Sequence, residues 1–333
     1  MSLKQCPYTY DDIISVENLL LAWAEFVRGK RNKLDVQTFQ LHLMDNILLL
    51  HRDLREGVYR HGAYKAFTIN DPKPRDIHKA SVRDRLIHHA VYRILYPFFD
   101  RTFIADSYSC RTGKGTHRAM NRFRTYVYRV SKNHTRTCWI LKCDIRKFFA
   151  SIDHAILKEI LTQRIPDTPV LRLFDTVIDS FPQVKPAESV GLPLGNLTSQ
   201  LLVNIYMNEF DQYMKHTLKT THYIRYADDF VIFSHDRNHL VSLVPRIGTF
   251  LSTHLKLSLH PRKVSIATVA AGVDFLGWVH FPDHRVLRTS TKRRMLRRCV
   301  GKNEGEPTVC SYLGLLGHGN TEKIREQVIS KLT

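Results

Sequence analysis

Residues 223–233 read YIRYADDFVIF, and this stretch decides the fold because two acidic residues interrupt a run of apolar and aromatic residues. Apolar and aromatic residues favour strands, so the stretch predicts a β-hairpin with Asp228 and Asp229 at its tip. Burying two adjacent carboxylates is destabilising unless a cation or a hydrogen-bond donor compensates their charge. Asp-Asp is also a common turn sequence, and a solvated loop is the alternative interpretation.

Another acidic residue ends a second apolar run, in WILKCD at residues 139–144. Residues 139–143 suit a buried strand, whose end can converge with that of a neighbouring strand. Mg²⁺ is usually held by one or two carboxylates plus substrate phosphates. Asp144, Asp228 and Asp229 therefore predict a site for two Mg²⁺ ions, with Mn²⁺ able to substitute, that supports phosphoryl transfer without a covalent nucleophile. The alternative role for Asp144 is a helix N-cap.

The charge balance indicates a polyanionic partner. The 333-residue chain has 50 Lys and Arg residues against 31 Asp and Glu, a formal charge of +19 that attracts nucleic acid. An ordinary basic, soluble protein is the alternative. Six cysteines form no C-x-x-C pair, which indicates neither a zinc site nor a disulfide framework. The sequence shows no apolar signal core or membrane-spanning run, and we expect a cytoplasmic protein that stays off the membrane.

The remaining pattern mixes helices with antiparallel strands and predicts an α+β fold. Apolar spacing predicts helices over residues 15–27, 35–56 and 80–96, with Pro97 stopping the last one, and a further helix around residues 156–161. Residues 59–70 predict one or two short strands before a turn at residues 71–74.

A basic run lies at residues 285–302, which contain eight basic residues and no acidic one. Arg293, Arg294, Arg297 and Arg298 follow helical spacing. Like charges at i, i+4 repel one another unless an anion lies alongside, so the run favours contact with a nucleic-acid backbone over an ordinary solvated face. The change of composition near Asp283 predicts a boundary between residues 1–283 and a basic helical region at 284–333.

Three segments together resemble reverse transcriptases, and the resemblance extends from about residue 67 to residue 278. They are CDIRKFFASIDH at residues 143–154, RYADDFVI at 225–232 and FLGW at 275–278. The first two resemble the palm motifs that carry the family's three metal-binding acids, and the third resembles its primer-grip hairpin. The resemblance implies a right-hand polymerase fold, with fingers and palm over residues 1–283 and a small helical thumb over 284–333. It also implies an RNA-directed DNA polymerase that uses an RNA template, a DNA or RNA primer and dNTPs.

The segment GLPLGNLTSQ at residues 191–200 resembles the part of the family that packs against the incoming base pair. Many relatives, including group II intron enzymes, have Gln-Gly-x-x-x-Ser-Pro there, whereas this chain has Leu194 and Gly195, then Ser199 and Gln200. This form resembles the reverse transcriptases of diversity-generating retroelements, which misincorporate opposite template adenines and work with a small basic accessory protein that assembles as a ring. Leu194 cannot make the polar contact of a Gln, so we expect less strict checking of the nascent pair. Leu194 as a plain packing residue is the alternative.

The resemblance implies further residues of a nucleotide site. The turn at residues 72–77 resembles the fingers segment that meets the triphosphate, with Arg75 as first choice and Lys73 as second, because a guanidinium binds phosphate in a bidentate way. Phe149 matches the position that excludes a ribose 2′-hydroxyl, and Lys263 resembles a lysine near the leaving pyrophosphate. The alternatives are a surface turn, a core aromatic residue and a surface lysine.

Two other functions stay open. A group II intron-like or phage-defence reverse transcriptase would carry an intron-binding or effector region, and we expect neither of these, nor an endonuclease, RNase H or protease domain. A non-catalytic RNA-binding module would fit the loss of one of the three acids, but all three are present. The sequence has no G-x-S-x-G elbow, and the glycines at residues 113–115 lack P-loop spacing, which excludes those two chemistries.

Overall fold

The structure is a computed structural model and describes residues 4–70, 74–181 and 189–332. The chain divides into two compact units, each built from separate stretches of sequence. The first unit comprises Met1–Ala105, Ile145–Tyr213 and Thr249–Ser258, and the second comprises Asp106–Asp144, Met214–Gly248 and Leu259–Thr333. The predicted boundary between residues 283 and 284 stays a prediction.

Groups of helices and short antiparallel strands are mixed along the described chain, without regular alternation. The helices are α1 (Tyr10–Ile14), α2 (Val16–Phe26), α3 (Leu34–Leu41), α4 (Leu43–Arg55), α5 (Val82–Asp100), α6 (Thr116–Val130), α7 (His154–Thr162), α8 (Thr168–Asp179), α9 (Leu197–Gln212), α10 (Arg237–Leu255), α11 (Thr289–Cys299), α12 (Pro307–Leu316) and α13 (Glu322–Ile329). The strands are β1 (Lys65–Asn70), β2 (Pro74–Lys79), β3 (Trp139–Asp144), β4 (Tyr223–Tyr226), β5 (Asp229–Ser234), β6 (Ser265–Thr268), β7 (Val273–Phe275), β8 (Trp278–His280) and β9 (Arg285–Leu287). This mixture confirms the predicted α+β class.

The core of the first unit is helical. Helix α5 packs against both α2 and α9, and α2 also contacts α4. In α2, Leu19, Ala22 and Phe26 recur at helical spacing and are fully buried, which explains why the helix predicted over residues 15–27 forms. The two-stranded sheet of β1 and β2 belongs to the same unit and is antiparallel.

A four-stranded antiparallel sheet, in the order β4-β5-β3-β6, is the centre of the second unit. Strands β3 and β5 pair along their whole length, from Trp139 opposite Ser234 to Asp144 opposite Asp229. The predicted hairpin is confirmed as β4 and β5, with Tyr226 opposite Asp229. Strand β3 is hydrogen-bonded on both edges, which suits the apolar run that predicted it.

Helix α6 covers part of this sheet with its apolar side. Helix residues and strand residues form one buried cluster that includes Ala119, Phe123, Tyr126, Val127, Val130, Ile140, Ile224, Val231 and Phe233. The Phe123 ring meets Phe233 edge-on at 4.9 Å and stacks on Phe275 at 5.6 Å. This packing fixes the rotation of α6 about its own axis, so its opposite side faces solvent.

The sheet of β7, β8 and β9 joins the last three helices in a second core of the same unit. Its buried residues include Trp278, Leu287, Met295, Cys299, Val309, Leu316 and Val328. The basic run at residues 285–302 is helical over α11, which confirms the helical spacing of its arginines.

Two helix predictions were wrong in their limits. Residues 35–56 form α3 and α4 rather than one helix, because His42 leaves helical geometry at φ −120° and ψ 42°. The Asn46 side-chain amide donates to the Phe39 carbonyl at 2.9 Å, so one carbonyl at the end of α3 keeps a partner. Pro97 does not stop α5, which continues to Asp100. A proline removes one helical hydrogen bond, but Phe98 and Phe99 are buried directly after it and hold the last turn in place.

The prediction of one or two short strands within residues 59–70 is confirmed, with one strand present. Only Lys65–Asn70 forms a strand in that stretch, as β1. The predicted turn falls mostly on residues 71–73, which lie outside the described residues, and Pro74 begins β2. Proline is tolerated at the first residue of a strand because no hydrogen bond of the sheet needs its missing N–H there.

No helix within residues 4–70, 74–181 or 189–332 combines the length and apolarity needed to cross a bilayer. The six cysteines are free thiols, and four of them are buried. Burial raises the pKa of both Cys138 and Cys143 to about 12, so these two thiols stay protonated at neutral pH.

Candidate active site

The turn of the β4–β5 hairpin carries Ala227 and Asp228 between the paired residues Tyr226 and Asp229. Ala227 has a φ of 54°, in the left-handed region that glycine usually occupies in hairpin turns. A residue with a Cβ in this region is strained by about 1 kcal/mol or more, so neighbouring contacts must hold the turn.

The buried side chain of Arg225 holds this turn in place, and Arg225 with its contacts is here called the Arg225 brace. The Arg225 side chain has no exposed surface, and its guanidinium donates to the Ala227 carbonyl at 3.2 Å and to Ser107 Oγ at 3.1 Å. The Arg225 backbone accepts from Tyr108 N and donates to the Asp106 carbonyl, each at 3.0 Å. Residues 106–108 thus run parallel to the start of the hairpin and lock it in register.

The brace is anchored by the carboxylate of Asp106, which is buried. Tyr126 Oη donates to it at 2.5 Å and Arg122 Nε at 2.8 Å, while Lys215 Nζ lies 3.6 Å away. Burial alone would raise the pKa of Asp106, but the hydrogen bonds from Tyr126 and Arg122 and the nearby cations hold it below its ordinary value. The carboxylate therefore stays charged, and residues 106–108 are fixed.

Asp144 meets a lysine at the edge of the sheet. Lys263 Nζ lies 2.8 Å from both carboxylate oxygens of Asp144, so this partly exposed lysine is more than a plain surface residue. The backbone positions it: His260 N donates to the Asp144 carbonyl at 2.7 Å, and Lys263 N donates to the His260 carbonyl at 3.0 Å. An ammonium group thus balances the charge of Asp144.

Asp229, directly opposite Asp144, is poorly compensated. Its Oδ1 is buried without a hydrogen-bond partner, and its Oδ2 lies 3.8 Å from Lys142 Nζ. Burial raises the pKa of Asp229 to about 7, with smaller contributions from the negative charges of Asp228, Asp144 and Asp274, while Lys142 acts in the opposite direction. The sheet therefore creates a local excess of negative charge at this edge.

This edge suits a hard cation. Asp228 sits in the turn beside Asp229, and Asp144 lies opposite Asp229, so oxygen donors from two strands and their connection come to one end of the sheet. Across the part of the chain that the structure describes, no three His, Cys, Asp or Glu side chains form a group that could hold an ion by themselves. Carboxylates with an orphaned buried oxygen fit Mg²⁺ when substrate phosphates supply the remaining ligands.

The predicted base-pair segment lies in the first unit and is bound to β2. His78 N donates to the Leu194 carbonyl at 3.1 Å, and the Asn196 side-chain amide donates to the His78 carbonyl at 3.0 Å. Gly195 has a φ of 103°, and a Cβ there would come within 2.9 Å of Ile77 Cγ2. Leu194 is half-buried, which argues against a purely internal packing role, and Gln200 is half-buried in the first turn of α9.

Of the other predicted nucleotide-binding residues, Phe149 joins this segment and Arg75 lies on the same strand as His78. The Phe149 carbonyl accepts from Leu192 N at 2.8 Å, and its ring is half-buried, edge-on to Phe148. Arg75 is exposed on β2, opposite Ile69. Lys73 lies outside the described residues. In the first unit, Phe149 thus contacts Leu192 of the base-pair segment and Leu194 contacts His78, whereas the three predicted metal ligands belong to the second unit.

Sequence reasoning missed Lys142, Arg225 and Asp106. Arg225 lies inside strand β4 of the hairpin, but nothing in the sequence alone shows that its side chain will be fully buried. Asp106 precedes Asp144 by a long stretch, and no spacing links it to the site. A charged residue inside an apolar strand was a signal for two of them, because Lys142 interrupts the run WILKC and Arg225 interrupts the run YIRY.

The sequence matches the profile of the family described as Reverse transcriptase (RNA-dependent DNA polymerase) over residues 70–280, more than half of the chain. The matched region contains the three carboxylates, the segment around Leu194 and the Arg225 brace. It ends at β8, before the basic helix α11.

Among known proteins, the chain is similar to Protein YkfC of Escherichia coli, with 25% identity over 295 residues that cover 78% of this chain and 75% of that protein. It is similar to Group II intron-encoded protein LtrA of Lactococcus lactis, with 22% identity, 75% of this chain and 51% of that protein. It also resembles an uncharacterized 91 kDa protein in the cob intron of Schizosaccharomyces pombe, with 22% identity, 76% of this chain and 30% of that protein. The chain therefore spans only about half and about a third of these last two relatives.

We predict that Asp229→Asn changes the pH dependence of stability. Folded wild type keeps a proton on Asp229 up to about pH 7, whereas the unfolded chain releases it near pH 4. Because the folded state binds more protons in this window, the stability contributed by this group falls as pH rises from about 4 to about 7. The melting temperature of Asp229→Asn should therefore exceed that of wild type by a margin that grows through the window and then levels off, measured by thermal unfolding in EDTA.

Asp144→Asn is the matched control for that experiment. It makes the same chemical change directly across the sheet, but it removes the partner of Lys263, so the melting temperature should not rise at neutral pH. A margin between wild type and Asp229→Asn that does not change between pH 4 and pH 8 would contradict the environment assigned to Asp229.

We predict that Arg225→Met loosens the hairpin turn. The substitution leaves the Ala227 carbonyl and Ser107 Oγ without this donor in a buried place, which costs about 1–3 kcal/mol. Hydrogen exchange measured by mass spectrometry should be faster in peptides covering residues 223–233. Arg237→Met, an exposed arginine at the start of α10, is the control. Equal exchange in both variants would show that Arg225 does not hold the turn.

Proposed function

The chain belongs to the reverse transcriptase family and has its right-hand polymerase fold, and on that premise we propose that it extends a DNA or RNA primer with dNTPs on an RNA template, using two divalent metal ions. The observation that carries the proposal is the pairing of β3 with β5, which sets Asp144 opposite Asp229 and beside the turn that holds Asp228. A single acidic hairpin would fit many functions. Carboxylates from two strands that meet at one edge, with their charge only partly balanced, fit phosphoryl transfer.

The residues of the chain divide the work of this proposed reaction. The primer 3′-oxygen attacks the α-phosphorus of the dNTP, and pyrophosphate leaves. Mg²⁺ bound by Asp144, Asp228 and Asp229, or Mn²⁺ in its place, would supply the Lewis acidity that activates the attacking oxygen and stabilises the leaving group. Lys142 and Lys263 limit the repulsion among the carboxylates before a cation arrives. Lys263 carries an ammonium proton that the leaving pyrophosphate can accept.

Nucleotide selection falls to the first unit in this proposal. Phe149 would exclude a ribose 2′-hydroxyl by its bulk, and its backbone contact with Leu192 supports its place beside the base-pair segment. Leu194, Gly195 and Gln200 would lie against the incoming pair. Arg75, exposed on β2, would bind the triphosphate, with Lys73 assisting.

We further propose that the enzyme belongs to a diversity-generating retroelement, is error-prone opposite template adenines and works with a small basic accessory protein. The support is the segment with Leu194, Ser199 and Gln200, in which an apolar side chain replaces the Gln of many relatives. The specific alternative is a group II intron-like enzyme, which is favoured by the similarity to the intron-encoded protein LtrA. Position 194 allows the two to be compared experimentally.

Polymerase activity is tested by primer extension on an RNA template with dNTPs and Mg²⁺ or Mn²⁺. We expect extension by wild type and a loss of at least about a hundredfold in Asp228→Ala, because removal of a catalytic electrostatic group costs roughly 10²–10³ in rate. Asp45→Ala, an exposed acidic residue of α4, is the matched control and should extend primers like wild type. Failure of wild type with either ion and with its accessory protein would leave the non-catalytic RNA-binding module as the better account.

Fidelity is tested by sequencing the products of Leu194→Gln. The substitution restores a polar side chain at a half-buried position whose backbone, rather than side chain, bonds to His78, so the fold should tolerate it. We expect fewer errors opposite adenine, with other errors little changed. Leu171→Gln makes the same change at a half-buried position of α8, outside this segment, and should leave the error spectrum as it is. An unchanged adenine error rate in Leu194→Gln would favour the group II intron-like alternative.

A further inference from the structure

A long part of the second unit lacks any acidic residue. Between Asp106 and Asp144 the sequence has nine Lys or Arg residues and no Asp or Glu. Helix α6 is the centre of this stretch, and its arginines are separate from those of α11. The arginines of α6 have no part in the proposed carboxylate chemistry.

The apolar residues of α6 lie on the side that packs against the sheet, and its polar residues lie on the opposite side. Ala119, Phe123 and Val127 are buried against the sheet. The opposite side shows two adjacent rows at i, i+4 and i+7 spacing. One row contains His117, Asn121, Arg124 and Tyr128, and the other contains Arg118, Arg122, Thr125 and Arg129. The solvent side of α6 is therefore basic, with the exposed aromatic ring of Tyr128 among the arginines.

Three of the four arginines of α6 form no ion pair with the residues that the structure describes. Arg122 is paired with Asp106. No carboxylate in residues 4–70, 74–181 or 189–332 lies within ion-pair distance of Arg118, Arg124 or Arg129. An ordinary solvated face usually mixes both signs of charge, which lowers repulsion. The charged side chains on this side of α6 are all positive.

The positive charges of α6 contribute to a lowered pKa at two neighbouring groups, Arg285 and His222. Burial lowers the pKa of Arg285, and the charge of Arg124 lowers it further. Burial also lowers the pKa of His222, and Lys215, Arg129 and Arg122 add to the effect. An anion on this surface would relieve the repulsion that both groups experience.

The turn after α6 continues the same surface. Lys132, Asn133 and His134 have φ values of 49°, 57° and 62°, three successive residues in the left-handed region. Each is strained by roughly 1–2 kcal/mol, and none is a glycine. The bond from His134 N to Ser131 Oγ at 2.9 Å helps to hold this turn, which leaves Lys132 and Arg136 exposed.

We propose that Arg118, Arg124, Arg129, Lys132 and Arg136, here called the α6 basic face, bind the phosphodiester backbone of a nucleic-acid strand. The face is rigid because α6 is anchored on the sheet through its buried side. The helix is about 22 Å long, enough to follow several phosphates of one strand. Tyr128 offers a surface for base stacking.

The start of the face lies close to the candidate active site. Thr116 Oγ1, at the first residue of α6, donates to Tyr226 Oη at 3.1 Å, and Tyr226 directly precedes the hairpin turn. The helix then extends over the start of β3, since Ile140 belongs to its buried cluster. Ile140 is separated from Asp144 by about 13 Å along the strand. A strand bound to the α6 basic face would thus be held alongside the hairpin and led away from it.

The proposal rests on the proposed function only in making an RNA template or a DNA product the natural source of that strand. It is tested with the full chain, in EDTA and without dNTPs, by the anisotropy of a labelled single-stranded RNA and of a DNA of the same sequence. The variant is Arg118→Gln/Arg124→Gln/Arg129→Gln. We expect its affinity to fall on the order of tenfold or more and the salt dependence of log K to flatten by about 2, since each phosphate contact on a single strand contributes roughly 0.7.

Arg28→Gln/Arg31→Gln/Arg246→Gln is the matched control, because it removes the same charge from exposed arginines elsewhere. It should bind nearly like wild type. Thermal unfolding of both triple variants checks that the fold is intact. A loss of affinity for RNA would identify the template as the bound strand, and a loss of affinity for DNA would identify the primer or product strand. Either result supports the proposal.

Three results would overturn the proposal: equal losses in the two triple variants, no loss in either, or competition by polyglutamate as strong as by RNA. The last result would point to an acidic protein as the partner. Because no nucleotide is incorporated in this assay, its outcome is independent of the primer-extension test. A chain that binds a strand through α6 but extends no primer would lose the proposed function and keep this inference.

Discussion

The repulsion between carboxylates at one edge of a sheet is the constraint on which the rest of the second unit depends. Strand pairing leaves no choice: once β3 and β5 are in register, Asp144 faces Asp229, and the hairpin turn adds Asp228. The surrounding residues offset this repulsion only partly. Lys263 and Lys142 supply positive charge, and the Arg225 brace holds a strained turn in place. A site left with uncompensated negative charge is prepared for a cation that arrives with its substrate.

The sequence was informative where local pattern and structure share a period. The hairpin, strand β3 and the main helices follow from runs of apolar residues, and the acids were noticed because they interrupt such runs. The limits of helices were less predictable. His42 lies within a continuous apolar stripe and breaks the helix, whereas Pro97, a residue that usually ends helices, does not, because the phenylalanines after it are buried. Tertiary packing decided both cases.

The contacts that hold the site were not predictable, because they join residues far apart in the chain. The segment at residues 106–108 pairs with Arg225 across more than a hundred residues, and Lys142 serves two partners, Asp229 and the carbonyl of Asp274. No periodicity encodes such pairs. Only the register of the sheet shows that Lys142, which pairs with Val231, lies diagonally across from Asp229 on the same face of the sheet.

The attachment of residues 191–200 to β2 separates two positions that are adjacent in the chain. At residue 194 the backbone makes the contact and the side chain is half-exposed, whereas at residue 195 any side chain would collide with Ile77. Substitutions at residue 194 can therefore be tolerated while the loop keeps its conformation, whereas residue 195 must remain glycine. Whatever trait the side chain at residue 194 governs can evolve by single substitutions, without first passing through a misfolded ancestor.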